Sequence, residues 1–382
     1  MKTTFLPLSD PDISEIELEA VREVLLSPRL SAGPVVEEFE AAFAQYLGRK
    51  HAIAAASGEI ALLLTLQAYG IGQGDEVVAS AHSFRETAHA IALTGARPVF
   101  ADIDYWAGTI APDKAAARLT ERTRAIIASN ANGHPAPWDN LRELAKGAGV
   151  VLIEDSTEAI GSVYKGSRVG SFGDCAIFDF SQPGALVCGE GGMIATDDDD
   201  RAYAIRRLRS RRIDERSSMV IGAVAPLQAG LSDLSAALGL AQLRRIDVLL
   251  ARRKRVEAWY CDYLRSFEGI KDPYIAPDVD EVHWFLYVVH LGTRFSRSSR
   301  DSIIDDLRTE RVESAAYSQP LHLQRRYFEM GYRRGDFFVT EKVADRALAL
   351  PFHAHLTEEQ VAFIVGTTKD ASINVGAGTA IY

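Results

Sequence analysis

The chain has 382 residues, 47% of them hydrophobic and 25% charged, which is enough for one large domain and a smaller one and is the balance of an ordinary folded protein. Its formal charge of −10 argues against general affinity for nucleic acid or anionic membrane, since both select for surplus Lys and Arg. No run approaches the roughly 18 apolar residues of a membrane span, and residues 1–7 lack the apolar core of a signal peptide, so a cytoplasmic protein is expected.

The first helix is expected over residues 13–26, where Ile13, Ile16, Val21, Val24 and Leu25 recur on one face, and a second over 35–46 after Pro34. Between residue 50 and about 200, short apolar runs alternate with helical patterns, the signature of parallel strands joined by crossover helices. The runs at 76–80, 98–102, 125–129, 150–155, 175–180 and 193–196 read as strands, and 60–69, 86–93 and 138–146 as helices. This is a doubly wound, mostly parallel α/β arrangement. Ligands of such sheets sit beyond the carboxyl ends of the strands, so Asp155, Asp179 and the Ser57-Gly58 turn should converge on one crevice. From Asp233 one long amphipathic helix is expected, running through Leu249 into Arg252-Arg-Lys-Arg255. It divides residues 1–245, the large domain, from residues 246–382, a smaller α+β domain whose tail from Ala371 reads as an arm or frayed end. Cys175, Cys188 and Cys261 form no CxxC and read as core thiols, and His134, His322, His353 and His355 have no metal-ligand spacing, so no metal site is assigned.

Several segments, taken in order and spacing, carry a family resemblance. They are Gly33-Pro-Val-Val-Glu-Glu-Phe-Glu40, Ser57-Gly-Glu-Ile-Ala-Leu62, Gly72-Gln-Gly-Asp-Glu-Val77 and Thr94-Gly-Ala-Arg-Pro-Val-Phe-Ala-Asp102. Ile153-Glu-Asp155, Gly170-Ser-Phe-Gly-Asp174, Gly189-Glu-Gly-Gly192, Leu238-Gly-Leu-Ala-Gln-Leu243 and Leu350-Pro351 continue the series. Nearly the whole chain resembles the DegT/DnrJ/EryC1/StrS sugar aminotransferases, fold-type I enzymes that use pyridoxal phosphate to aminate keto sugars and cyclitols. The resemblance implies a homodimer with a crevice completed by the other subunit. It gives Asp155 the place of the carboxylate that keeps the pyridine nitrogen protonated, although an Asp ending a strand can equally cap the next helix. Phe84 stands where the family stacks an aromatic on the ring, or else packs in the core.

The departures cluster on the cofactor. Five residues before Gly-Glu-Gly-Gly the family carries the lysine of the internal Schiff base, and here that residue is Gly184. Asp179 and Glu59 replace a serine and a threonine of the phosphate cup, Glu158 a glutamine near the ring hydroxyl, and Ser181 a histidine. Gln228 and Gly230 replace an asparagine and an arginine. The resemblance then implies no covalent pyridoxal phosphate, while non-covalent pyridoxal or pyridoxamine phosphate stays open.

The same geometry would gather Asp155, Glu158, Asp179, Glu59 and Glu86 beside His82. So many neighbouring acids need cations. A hard metal, a polyamine or aminoglycoside-like ligand, or the chain's own arginines, for which Arg206-Arg-Leu-Arg-Ser-Arg-Arg212 is a candidate source, would each serve. Four functions remain open: a repurposed, pyridoxal-independent enzyme on a sugar, cyclitol or amine in a biosynthetic pathway; a non-catalytic partner or ligand-binding homologue of an aminotransferase; a lysine-less enzyme holding the cofactor non-covalently; and, last in order, ordinary transamination through a lysine elsewhere in the chain.

Overall fold

A computed structural model describes residues 5–209, 227–265, 267 and 269–379. The chain opens with α1 (Glu15–Leu26), α2 (Pro34–Leu47), β1 (His51–Ala55), α3 (Gly58–Ala68), β2 (Glu76–Ser80), α4 (Arg85–Leu93) and β3 (Arg97–Ala101). It continues through α5 (Pro112–Ala116), β4 (Thr123–Ser129), α6 (Trp138–Ala148), β5 (Val151–Asp155), β6 (Val163–Tyr164), β7 (Ser167–Arg168), β8 (Cys175–Asp179), β9 (Gly192–Thr196) and α7 (Asp199–Arg209). After α8 (Asp233–Arg244) and α9 (Ile246–Leu264) come β10 (Ile270–Lys271), β11 (Val279–Glu281), β12 (Tyr287–Leu291) and α10 (Arg297–Thr309). The last elements are β13 (Ala315–Ala316), α11 (Arg325–Phe328), α12 (Phe338–Ala344), β14 (Ala347–Leu350) and α13 (Glu358–Thr379).

The main sheet has the order β1-β9-β8-β5-β4-β2-β3, with β9 antiparallel to both neighbours and the pairs from β8 to β3 parallel. Consecutive residues supply opposite faces. Val77, Ile127 and Ile153 pack with α3 and α7, whereas Val78, Ile126 and Leu152 pack with Trp138 and Leu141 of α6. A sheet covered on both sides presents ligands only its strand ends. Those of β2, β4, β5 and β8 are Ser80, Ser129, Asp155 and Asp179. The second sheet, β10-β12-β14-β13, is wholly antiparallel, and α13 packs beside α9 and α10.

Three expectations are corrected. The alanine-rich strand β1 was not foreseen, since His-Ala-Ile-Ala-Ala contains one β-branched residue. The long helix is two helices that part at Arg245 (φ −105°, ψ 5°), where the guanidinium turns to Asp12 at 3.0 Å and Glu17 at 2.5 Å. The segment from Ala371 to Thr379 is not a frayed end but the last turns of α13, in which Ala371 is buried behind Val361, Ile364 and Val365; residues 380–382 of that expectation lie outside the described residues.

Two buried carboxylates show how this chain spends acids on backbone. Asp233 accepts from the N–H groups of Gly33 (2.7 Å), Val35 (3.1 Å) and Val36 (3.3 Å), and so closes the amino end of α2. Glu154 accepts from Asn130, Ser156, Gly170, Phe172 and Gly173 at 2.5–3.2 Å, which ties β5 to the loop before β8.

Candidate functional site

At the carboxyl ends of β4 and β5 a narrow cleft is lined by His82, Ser83, Phe84, Ser129, Asp155, Glu158, Tyr317 and their neighbours. Four of the residues singled out in the sequence therefore meet there: Asp155, Glu158, His82 and Phe84. Phe84 is the residue before α4, half-exposed, with its ring edge-on to Phe285 at 6.2 Å.

Glu158 is 8% exposed. Its Oε2 accepts from the Asn132 N–H and the Tyr317 hydroxyl, both at 2.6 Å, while Oε1 has no partner. Burial, with a smaller contribution from the charge of Asp155, pushes its pKa up to about 8 against the two hydrogen bonds that favour the anion. Asp155 is half-buried and is also raised, by burial and by Asp179, although Thr157 N–H (3.2 Å) and Ser129 Oγ (3.3 Å) donate to it. His82 is lowered by burial and stays a neutral ring, its Nδ1 3.4 Å from the Gly108 carbonyl and its Nε2 accepting from Ser318 N–H at 3.4 Å.

Beside the cleft, Ser57 caps α3 by accepting from Ile60 N–H at 3.2 Å. The free N–H of Gly58 at the same helix end donates to Asp179 Oδ2 at 2.6 Å. The other oxygen of Asp179 takes the N–H of Ser181 at 2.8 Å and the Ser181 hydroxyl. The approach is close enough that a Cβ on Gly58 would lie 2.6 Å from Asp179 Cβ. The anion-attracting end of α3 thus holds an anion of the chain itself.

The remaining expectations part from this cluster. Glu86 turns to its neighbour Arg85 (2.8 Å), and Glu59, in the first turn of α3, lies 3.9 Å from His89 Nδ1, so neither lines the cleft. Gln228 and Gly230 are exposed and flank Ala229, whose carbonyl accepts from Ala56 N–H at 2.8 Å. Gly184 sits in the turn between β8 and β9, and its Cβ, if added, would meet the Leu186 carbonyl at 3.3 Å. The arginines considered as partners for the acids are engaged elsewhere: Arg206 reaches the Ala52 carbonyl and Arg209 pairs with Glu40, while residues 210–212 of that run lie outside the described residues. Among the described residues no Lys, Arg or His forms an ion pair with Asp155, Glu158 or Asp179. Tyr317 and the Asn132 N–H were not foreseen, and the only sequence signal for either is the turn-prone Asn-Ala-Asn-Gly133.

The mostly parallel, doubly covered sheet is shared with solved sugar aminotransferases, which gives the chain the fold-type I aminotransferase fold. A putative sugar aminotransferase from Streptococcus pneumoniae in its PMP form aligns with a TM-score of 0.92 at 26% identity, over 99% of this chain and 100% of the other. The chain belongs to the DegT/DnrJ/EryC1/StrS aminotransferase family, whose model matches residues 11–369. It is 34% identical to the spore coat polysaccharide biosynthesis protein SpsC of Bacillus subtilis over 96% of this chain and 97% of that one. It is 38% identical to the GDP-perosamine synthase of Caulobacter vibrioides over 87% and 88% respectively. Among the described residues no helix is long and apolar enough to cross a membrane.

Proposed function

We propose that the protein is a cytoplasmic, pyridoxal-independent enzyme of a biosynthetic pathway, acting on a sugar, cyclitol or amine in the cleft between Phe84 and Glu158. The observation that carries this reading is the Asp179 carboxylate on the Gly58 N–H, where the family's fold offers a helix end to a phosphate. A carboxylate about 5 Å from a phosphate oxygen costs roughly 3 kcal/mol per pair of unit charges at an effective dielectric of 20. A near-dianion doubles that, against about 8 kcal/mol for a micromolar cofactor. Gly184 supplies no amine, and no lysine lines the cleft among the described residues. The site therefore does not fit a covalently held pyridoxal phosphate. Two groups remain to move protons near neutral pH: Glu158, kept protonated by burial, as the acid, and Asp155 as the base.

A second reading, ordinary sugar transamination, is favoured by the printed names of the relatives, a GDP-perosamine synthase and several sugar aminotransferases. One titration separates the two. Purified protein mixed with pyridoxal phosphate is expected to show no protein-linked band between about 330 and 430 nm, and borohydride no mass increment on the chain. A lysine-linked adduct recovered by peptide mass analysis establishes transamination instead.

We also propose a homodimer, supported by the apolar residues that α1 leaves exposed, Ile16, Leu18, Leu25 and Leu26. Light scattering at micromolar concentration is expected to return twice the chain mass of 41.8 kDa, and a monomer would end the proposal.

A further inference from the structure

We infer that the molecule has a second ligand site, apart from the cleft, that takes a nucleoside phosphate, with the base against Trp106 and Tyr274 and the phosphate reached by Lys271 and Arg294. The inference stands whichever chemistry the cleft performs. The site is a cavity of about 580 Å³ between the loop after β3 and β10, the outer strand of the second sheet, and it has the size of a small-molecule pocket.

Its aromatic wall is held in place from behind. Trp106 stands in a turn closed by the Ile103–Ile110 bridge, where Asp104 Oδ1 accepts from the N–H groups of Trp106 and Ala107, both at 2.8 Å. Tyr274 is stacked on His134, with ring centroids 6.3 Å apart and planes 13° from parallel, and His134 Nε2 accepts from Ala276 N–H at 3.1 Å. The Trp106 and Tyr274 rings meet at 6.0 Å and 45° as an open notch, 52% and 39% exposed. Two large rings fixed side by side and left uncovered form the kind of surface on which nucleobases stack.

Charge supplies the other half of the recognition. Lys271 Nζ lies over the Trp106 ring at 5.2 Å and the Arg294 guanidinium over Phe295 at 4.9 Å, and among the described residues neither meets a carboxylate. The acid that lines the same cavity, Asp272, has its Oδ1 taken by the Tyr287 hydroxyl at 2.9 Å, and burial raises its pKa. His290 also lines the cavity. Burial brings it down to about 4, and its neutral ring, without a hydrogen-bond partner among the described residues, offers an occupant one donor and one acceptor. In a chain of net charge −10, a cavity whose cations outnumber its acids selects an anion, and a guanidinium with an ammonium suits phosphate oxygens.

The cavity is not an arm of the cleft, because the two share no lining residue. Between them, walled by Tyr274, His290, His82 and Tyr317, lies a gap of about 30 Å³. That is room for about one or two water molecules and for nothing larger. A ligand stacked on Trp106 therefore stops short of His82, and its binding is separable from whatever the cleft holds.

The test is calorimetric titration at pH 7 with adenosine 5′-monophosphate as the probe, adenosine as its twin without phosphate, and ribose 5-phosphate as its twin without a base. The nucleotide is expected to bind with a Kd of about 0.3 mM or tighter, at least about tenfold tighter than either twin. Trp106→Ala, and Lys271→Gln with Arg294→Gln, change exposed side chains and should each weaken the nucleotide at least about tenfold. The first should bring it within about threefold of ribose 5-phosphate, and the second within about threefold of adenosine. Asp155→Asn, in the cleft, should leave its affinity within about twofold. No binding of the nucleotide below about 5 mM, or either twin binding as tightly as the nucleotide, overturns the inference. So does a loss of about tenfold in Asp155→Asn, which would place the nucleotide in the cleft instead.

Discussion

Glu158→Gln is expected to raise the unfolding free energy at pH 8 by about 4 kcal/mol and to leave it nearly unchanged at pH 4. The sign follows from which state holds the proton. In the folded protein burial lifts the Glu158 pKa from 4.5 to about 8. Between those values the folded chain keeps a proton that the unfolded chain has lost, so stability falls as pH rises from 4.5 through about 8 and is flat above. Each unit of separation is worth about 1.4 kcal/mol. Glutamine has the same shape, and its carbonyl can accept from Asn132 N–H and Tyr317 as Oε2 does. Its amide nitrogen then occupies the unpartnered Oε1 place, a cost that the protonated acid already bears, so it cancels in the comparison. The lowered His82 titrates alike in both proteins and cancels too. Urea unfolding across this pH range measures the difference directly. Two curves that run parallel from pH 4 to 8 would mean that Glu158 is ionised throughout and that some cation already balances it.

The contrast between Glu154 and Glu158 shows why only part of the site could be read in advance. Both are buried acids near the end of β5, and alternation along the strand puts one behind the sheet and the other, past the turn, toward the cleft. Strand ends follow from apolar runs, so the convergence of Asp155 and Asp179 was legible, as were β2, β4, β5 and β8 to within two residues. What each acid faces is a long-range matter. Tyr317 is 159 positions from the carboxylate that it touches, and nothing local in Tyr-Ser-Gln-Pro announces it. Glu59 and Glu86 were expected in the cleft from the geometry of the resembling family, yet they turn to His89 and Arg85 of α4 and lie outside it. Helix starts fix a backbone position; the nearest polar partner fixes where the side chain goes. The break at Arg245 has a similar origin, because residues 233–264 are amphipathic throughout and only Asp12 and Glu17, from the far end of the chain, show where the guanidinium is drawn. For Glu158, Glu59 and Arg245 the deciding partner lies far along the chain and is absent from the local pattern, whereas Glu86 is held by its neighbour Arg85.

Gly184→Lys alone is expected to give no borohydride-fixable pyridoxal adduct, whereas the same change combined with Asp179→Ser and Glu59→Thr is expected to bind the cofactor at least about a hundredfold more tightly than the single variant. Space is not the obstacle. A Cβ at residue 184 meets the Leu186 carbonyl at 3.3 Å and Val187 Cγ1 at 3.6 Å, tight at one point and ordinary at the other. The obstacle is charge at the amino end of α3, where Asp179 already takes the Gly58 N–H that a phosphate would need. Removing that carboxylate frees three donors at once: the Gly58 N–H, the Ser181 N–H and the Ser181 hydroxyl. It also removes a repulsion of roughly 3 kcal/mol per unit of phosphate charge, and about 2.8 kcal/mol is a hundredfold. The amine of a lone new lysine would meet Asp155 and Asp179 and be held as ammonium, while attack on an aldehyde needs the neutral form. Titration of pyridoxal phosphate into the single and the combined variants, followed by absorbance and peptide mass after borohydride, separates these effects. Micromolar binding by Gly184→Lys alone, equal to that of the combined variant, would mean that Asp179 yields its place to a phosphate without cost and that the missing lysine is all that keeps this chain from the chemistry of its family.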